Sequence, residues 1–222
     1  MDNNASGTGS SSFYSRLLAR LYDPFMNGME RQELHERRKA LLSNCQGTIP
    51  EVGAGTGANL PLYPAGTTIL AAEPSPHMIQ KATENLQSET VQANLEWIRA
   101  GVGDNELDER VQEGSLDAVV ATLVLCTVDK SKEAIDRFYQ WLKPCGQLIV
   151  LEHIKAKSSV GGFLQNMATP VWKYLAEGCH LNRPTDAMLK ESGFILIEEE
   201  YFSKGVPFYQ TIAQKPKDSL NG

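Results

Sequence analysis

Glu51-Val-Gly-Ala-Gly-Thr-Gly-Ala-Asn59 decides how this chain is read. Gly53, Gly55 and Gly57 stand at alternate positions, after a short run that reads as a strand and before a helix expected near Asn59. Such a turn lets backbone pass close to a bound ligand, where a Cβ would collide. Glu73 lies twenty positions beyond Gly53. There a nucleotide-binding α/β unit places the carboxylate that holds a ribose hydroxyl pair. The two features together point to a nucleoside cofactor.

Outward from this turn, apolar runs alternate with helical patterns. Strands are expected at 48–52, 67–72, 95–99, 116–125 and 147–151, with 194–201 and 207–213 last. The run 116–125 is apolar on both faces, as a central parallel strand should be. Helices are expected at 76–88, 130–142, 162–176 (despite Pro170) and 185–192, the last stopped by Gly193. Ser75 reads as the N-cap of the helix at 76–88, and Pro76 as its first residue. Two amphipathic helices precede the glycine turn, at 13–22 and 29–44, with Glu33 and Arg37 placed for an i,i+4 pair. Alternating strands and helices mean a doubly wound, mostly parallel α/β sheet with helices on both faces. One local conflict is Pro50, which lacks the donor a central strand needs. Either a bulge sits there or that amide position is unpaired in any case.

A length of 222 residues fits one domain with a sizeable core, taken as 13–222, behind a polar Ser-, Gly- and Asn-rich tail at 1–12. The tail has no apolar stretch of the secretory kind. A net charge of -6 argues against a nucleic-acid surface. No apolar run reaches membrane-spanning length. Cys45, Cys126, Cys145 and Cys179 show no metal-ligand spacing, so no metal is expected. Cys126 in an apolar run reads as a buried free thiol, which fits a reducing, cytoplasmic setting.

The glycine turn alone leaves the cofactor open, because Gly53, Gly55 and Ala58 also satisfy the dinucleotide pattern G-x-G-x-x-A. An NAD(P)-dependent oxidoreductase is therefore one reading, though it leaves Glu51 without a role. Three further features shift the balance: Glu51 just before the glycines, the loop Gly101-Val-Gly-Asp104 after the third strand, and Leu142-Lys-Pro-Cys-Gly146 before the fifth. Over 48–152, in this order, the chain resembles class I S-adenosylmethionine-dependent methyltransferases. The resemblance implies a Rossmann-like sheet of seven strands, the last antiparallel, and S-adenosylmethionine as cofactor. It puts Glu51 and the loop Gly53, Ala54, Gly55, Gly57 at the methionine and ribose part, and Glu73 on the ribose hydroxyls. Pro74, Ser75 and Met78 line the adenine together with Gly103 and Asp104, while Thr122 and Leu123 pack beneath the cofactor. Cys145 stands where that family usually has glycine, and Pro50 where it usually has an aliphatic residue.

A closer resemblance covers Thr122-Leu-Val-Leu-Cys-Thr-Val128, Leu151-Glu-His153, Pro170-Val-Trp172 and Gly178-Cys-His-Leu-Asn-Arg183. These stretches look like the methyltransferase-like 7 group and its bacterial relatives. Mammalian members methylate small thiols and carry an N-terminal membrane-associating segment; the polar stretch 1–12 gives no reason to carry the anchoring over. The implied substrate is a small apolar molecule, with a thiol favoured over a phenol, lipid amine or quinone-like carbon. A cofactor-binding protein without turnover is the remaining alternative. The acceptor atom and the oligomeric state stay open.

Methyl transfer from a sulfonium has a neutral leaving group, so the enzyme supplies mainly alignment and a route for the acceptor's proton. A thiol of pKa about 8.5 needs only mild help. His153, just beyond the carboxyl end of a buried strand, is the candidate base; the alternative is that it orients a loop. Cys126, Trp172, His180 and Arg183 are candidate substrate contacts, each with a plain structural alternative: packing, capping or a salt bridge. Cys179 is similarly ambiguous. Phe163 and Tyr174 either wall an acceptor pocket with Trp172 or belong to the core. Tyr14 and Tyr22, with Phe13, either cover the substrate site or pack on a sheet edge. Glu198-Glu-Glu200 reads as a solvated strand end.

Overall fold

The computed structural model describes residues 33–175, 178–204 and 206–217. The expected tail at 1–12, the helix at 13–22 with Tyr14 and Tyr22, and the start of the helix at 29–44 lie outside the described residues. Strands β1 (Thr48–Val52), β2 (Thr68–Ala72), β3 (Asn94–Ile98), β4 (Leu116–Thr122), β5 (Leu142–His153), β6 (Ile195–Lys204) and β7 (Val206–Gln214) form one sheet. Its order is β3-β2-β1-β4-β5-β7-β6. The first five strands pair in parallel, and β7 runs antiparallel to both neighbours. Helices α1 (His35–Leu42), α2 (Pro76–Asn85), α3 (Asn105–Asp108), α4 (Ser131–Trp141), α5 (Ser159–Leu175) and α6 (Thr185–Glu191) accompany it. None of the described helices is long and apolar enough to cross a membrane.

The sheet is buried on both faces because its central strands alternate two apolar sets. Val119, Ala121, Leu148 and Val150 share one core with Ala134, Ile135, Phe138 and Trp141 of α4. Those four recur at helical spacing, so α4 turns one apolar stripe to the sheet. Ala118, Val120, Ile149 and Leu151 face the other way, into a core with Leu41 and Leu42 of α1. Pro76 opens α2, and the Ser75 hydroxyl accepts from Met78 N at 3.4 Å, as the capping pattern requires.

The conflict at Pro50 resolves through strand geometry. Thr68 N donates to Gly47 O and Gly53 N to Ala72 O, so odd-numbered residues of β1 turn toward β2. Pro50 therefore directs its donor-less nitrogen toward β4, whose pairing with β1 begins only at Glu51. No bulge is needed, and the β1–β2 register is continuous through Pro50. Three expectations are corrected. The helix near Asn59 is only a 3-10 turn, Leu60–Leu62, in which Pro61 supplies no amide to extend the ladder. Strand β4 ends at Thr122 rather than at 125, because Leu123 adopts a left-handed φ of 54°. Strand β5 begins at Leu142, earlier than expected, with a register shift between Leu116 and Ala118 on its partner. Cys145 takes φ 66°, the conformation a glycine would adopt more cheaply.

A buried polar network ties the carboxyl ends of β1 and β4 to α1. Asn59 Nδ2 donates to Glu51 Oε1 (3.1 Å) and Thr122 Oγ1 (2.9 Å), and Tyr63 OH donates to Glu51 Oε2 (2.6 Å). Arg38 Nη1 reaches Asn59 Oδ1 at 2.7 Å and Thr122 Oγ1 at 3.2 Å. Burial pushes the Glu51 carboxyl up to about 7, although Tyr63, Arg38 and Asn59 each pull it down. Between the ordinary carboxylate range and pH 7, folded Glu51 keeps a proton that the unfolded chain has lost. Stability from this group is thus present at low pH and lost as pH rises through the folded pKa. At about 1.4 kcal/mol per unit, the whole effect is up to about 3 kcal/mol. In urea titrations, wild-type stability relative to Glu51→Gln should fall between about pH 5 and about pH 8. A difference that is flat or rises with pH would show that Glu51 is ionised in the folded protein.

Candidate active site

The carboxyl ends of β1 to β5 open on one cavity of about 1400 Å³. Its floor begins at the glycine turn. Gly53 has φ 70°, and an added Cβ would run into Val124, with Val124 Cβ only 2.7 Å away. That glycine is required by the chain's own packing. Gly55, at φ 54°, meets nothing nearer than Gly53 O at 3.8 Å, and is the one that leaves open approach to the turn. Glu73, at the end of β2, accepts from Gly55 N (3.0 Å) and Ser75 N (2.9 Å), one on each carboxylate oxygen. Burial raises its pKa against those two amides. Each oxygen keeps acceptor capacity beyond its amide. The loop after β3 is closed on itself, Asp104 Oδ2 accepting from Gly101 N at 2.7 Å.

The loop after β4 is the other half of the site. Glu152, fully buried in β5, accepts from Val124 N and Leu125 N, both at 2.7 Å on Oε1. Arg183 donates to Leu125 O (2.8 Å) and to Val128 O. His180 N donates to Cys126 O at 2.9 Å. So fixed, the loop turns Cys126 toward His153 and Cys179. His153 Nε2 lies 2.8 Å from Cys179 Sγ, and the two sulfurs and a ring nitrogen all fall within 4.8 Å of one another. All three residues are buried. The Cys126 contact first, with His153 and Trp172, pulls Cys179 down to about 5 against its burial. The same contact, then burial, pushes Cys126 up. Burial alone lowers His153, but Cys179 outweighs it and the net direction is up. The contact between the two cysteines therefore favours ionisation of Cys179 and holds Cys126 as the neutral thiol.

Of the residues singled out in the sequence, Gly53, Ala54, Gly55, Gly57, Glu73, Pro74, Ser75 and Met78 border the cavity. So do Gly103, Asp104, Thr122, Leu123, Cys126, His153 and Trp172. Glu51 does not; it sits behind the turn in the network above. His180 and Arg183 are not on the cavity either. Their hydrogen bonds go to carbonyls of the loop after β4 and to each other, Arg183 Nη2 to His180 Nδ1 at 3.0 Å, so Arg183 is neither a free anion site nor a salt-bridge partner at the helix entry. Phe163 and Tyr174 are exposed on α5, neither pocket wall nor core. Sequence reading missed His35 and Arg38 of α1 and Val206 and Phe208 of the last hairpin, all on the cavity wall. It also missed the convergence of Cys126, His153 and Cys179, which are 26 or more positions apart, or 27 between the first two. Spacing carries no signal for such a cluster.

The cavity fits a nucleoside sulfonium: a carboxylate with spare acceptor capacity at one end, an open glycine turn in the middle and soft donors at the other. Residues 50–150 match the family described as Methyltransferase domain. The chain is 29% identical to the thiol S-methyltransferase TMT1B of Rattus norvegicus, over 86% of this chain and 78% of that protein. It is 31% identical to human thiol S-methyltransferase TMT1A, over 73% of this chain and 69% of that protein. A solved structure of a putative methyltransferase from Bacillus halodurans shares the fold, with a TM-score of 0.65 at 12% identity, covering 82% of this chain and 98% of that one. The dinucleotide reading is thereby set aside. The chain belongs to the S-adenosylmethionine-dependent methyltransferases, in the family that includes thiol S-methyltransferases TMT1A and TMT1B, and its methyl donor is S-adenosylmethionine.

Proposed function

We propose that this enzyme methylates the sulfur of a small apolar thiol at the His153 end of the cavity. The observation that carries the reading is the joining of the Glu73 end and the Cys126–His153–Cys179 cluster in one cavity. The relatives that bear the name thiol S-methyltransferase support it. When bound, S-adenosylmethionine supplies an electrophilic methyl on a sulfonium. Glu73 receives the ribose hydroxyls on the lone pairs its two amides leave. Pro74, Ser75 and Met78 with Gly103 and Asp104 flank the adenine, and Gly53 to Gly57 with Thr122 and Leu123 hold the methionine end. Glu51 shapes this end from behind without touching it. Acceptor sulfur would reach the methyl from the side of Cys126 and Trp172, where His153 would promote loss of its proton. The new C–S bond forms as the sulfonium C–S bond breaks, and that electron pair stays on the departing neutral sulfide. Val206 and Phe208 make the acceptor end apolar. Four free cysteines without a disulfide fit a reducing setting such as the cytoplasm.

Glu73→Ala should raise the dissociation constant for S-adenosylmethionine at least about tenfold in calorimetry, since a charge-assisted hydrogen bond contributes about 1.5–3 kcal/mol. Unchanged affinity would remove Glu73 from the cofactor site. A panel of thiols, phenols, amines and quinones with methyl-labelled cofactor should show turnover on thiols first. Turnover on another class with none on any thiol would overturn the acceptor assignment. His153→Gln should lower thiol turnover by about 10²-fold while leaving cofactor affinity within about twofold. Wild-type turnover in that variant would return His153 to a purely structural role.

A further inference from the structure

Cys126, His153 and Cys179 reach one point from three separate parts of the chain: the loop after β4, the end of β5 and the segment between α5 and α6. Two sulfurs and an imidazole are the donor set that zinc and other soft divalent ions take. Around a tetrahedral zinc ion, bonds of about 2.3 Å to sulfur and about 2.0–2.1 Å to nitrogen put donors roughly 3.5–3.8 Å apart. Here every pair lies within 4.8 Å, and His153 Nε2 is already 2.8 Å from Cys179 Sγ. Shifts of about an ångström therefore suffice to close the cluster on an ion. Backbone and side-chain hydrogen bonds hold each ligand's segment: Glu152 and Arg183 fix the loop that carries Cys126, and His180 N on Cys126 O ties the Cys179 segment to that loop. All three residues border the cavity. Three protein ligands with a side open to a substrate cavity is the pattern of catalytic zinc, whereas structural zinc takes four.

We propose that Cys126, His153 and Cys179 bind one divalent thiophilic metal ion, zinc by the character of the donors, with its fourth position open to the acceptor. The metal site stands on the cluster's geometry alone; placing a thiol in the fourth position rests on the function proposed above. Both cysteines bind as thiolates. An acceptor thiol that takes the fourth position gives up its proton to solvent and stays as a metal-bound thiolate. Its sulfur would then bond to the methyl carbon as that carbon's bond to the sulfonium sulfur breaks, the electron pair leaving with the neutral sulfide. The product is a neutral thioether, a weaker ligand than a thiolate, so it leaves and the position reopens. In this arrangement His153 promotes loss of the acceptor's proton through the ion, as a ligand, rather than by taking the proton itself. Trp172 packs against the cluster of the two cysteines.

The test uses the full chain, stripped with a chelator and titrated with Co²⁺, then with Zn²⁺ in competition. The expected result is one equivalent of Co²⁺ with thiolate-to-cobalt charge-transfer bands and the visible bands of a tetrahedral ion, displaced by Zn²⁺. Cys126→Ser and Cys179→Ser should each weaken Co²⁺ binding at least tenfold and diminish the charge-transfer intensity. Cys145→Ser, on the exposed turn before β5, should leave both unchanged. Thermal stabilisation by S-adenosylhomocysteine confirms that each variant is folded. Folded wild-type protein that binds no stoichiometric Co²⁺ or Zn²⁺ would overturn the proposal, as would unaltered binding in the Cys126→Ser, Cys179→Ser double variant. Thiol turnover at full rate by the stripped protein would remove the ion from the reaction and leave the thiol-acceptor reading standing. Stoichiometric metal with turnover only on non-thiol acceptors would do the reverse.

Discussion

One buried carboxyl group organises the loop after β4 and the side of the cavity it borders. Glu152, with no exposed surface, receives two amides, Val124 N and Leu125 N, on a single oxygen. A hydrogen bond of this kind contributes about 0.5–1.5 kcal/mol, and leaving a buried amide unsatisfied costs about 1–3 kcal/mol. The chain after β4 must therefore reverse at Leu123 and fold back over β5. Val124 then lies against Gly53 so closely that no side chain fits there. The glycine turn and the β4 loop are thus interlocked, and the distance between the cofactor's place and the cluster of Cys126, His153 and Cys179 is a property of the fold. Arg183 closes the arrangement from outside by donating to Leu125 O and Val128 O. For a displacement with a neutral leaving group, alignment is most of what an enzyme can supply.

The interlock also divides the labour among acidic residues. Glu51, Glu73 and Glu152 end β1, β2 and β5, and all three are buried with pKa values raised by burial. Glu73 alone borders the cavity while holding backbone on both oxygens. Glu51 and Glu152 are turned to the protein and position the segments beside it. A carboxylate at a strand end is therefore a ligand contact only where the geometry leaves it lone pairs facing the cavity.

Much of the frame was legible from residues alone, because it rests on local signals. Alternating apolar runs placed all seven strands, Ser75 and Pro76 marked the start of α2, and the interval from Gly53 to Glu73 identified the first two strand ends of a nucleotide-binding sheet. What escaped depends on partners remote in the chain. Gly53 reads as clearance for a ligand but is clearance for Val124, seventy-one positions on. Arg183 reads equally as a substrate contact or a salt bridge, yet its guanidinium is spent on carbonyls more than fifty positions away. Val206 and Phe208 look like ordinary strand residues, and only the antiparallel return of β7 beside β5 brings them to the cavity. The three soft donors have no common motif, since topology and not spacing gathers them.

The central claim is the polarity of one cavity: ribose at Glu73, sulfur toward His153 and the two cysteines. A crystal structure with S-adenosylhomocysteine bound tests it most directly. The expected result is both ribose hydroxyls on the Glu73 carboxylate and the homocysteine sulfur facing the gap before Cys126 and Cys179. A ligand bound the other way round, or with its sulfur walled off from His153 by protein, would contradict the assignment.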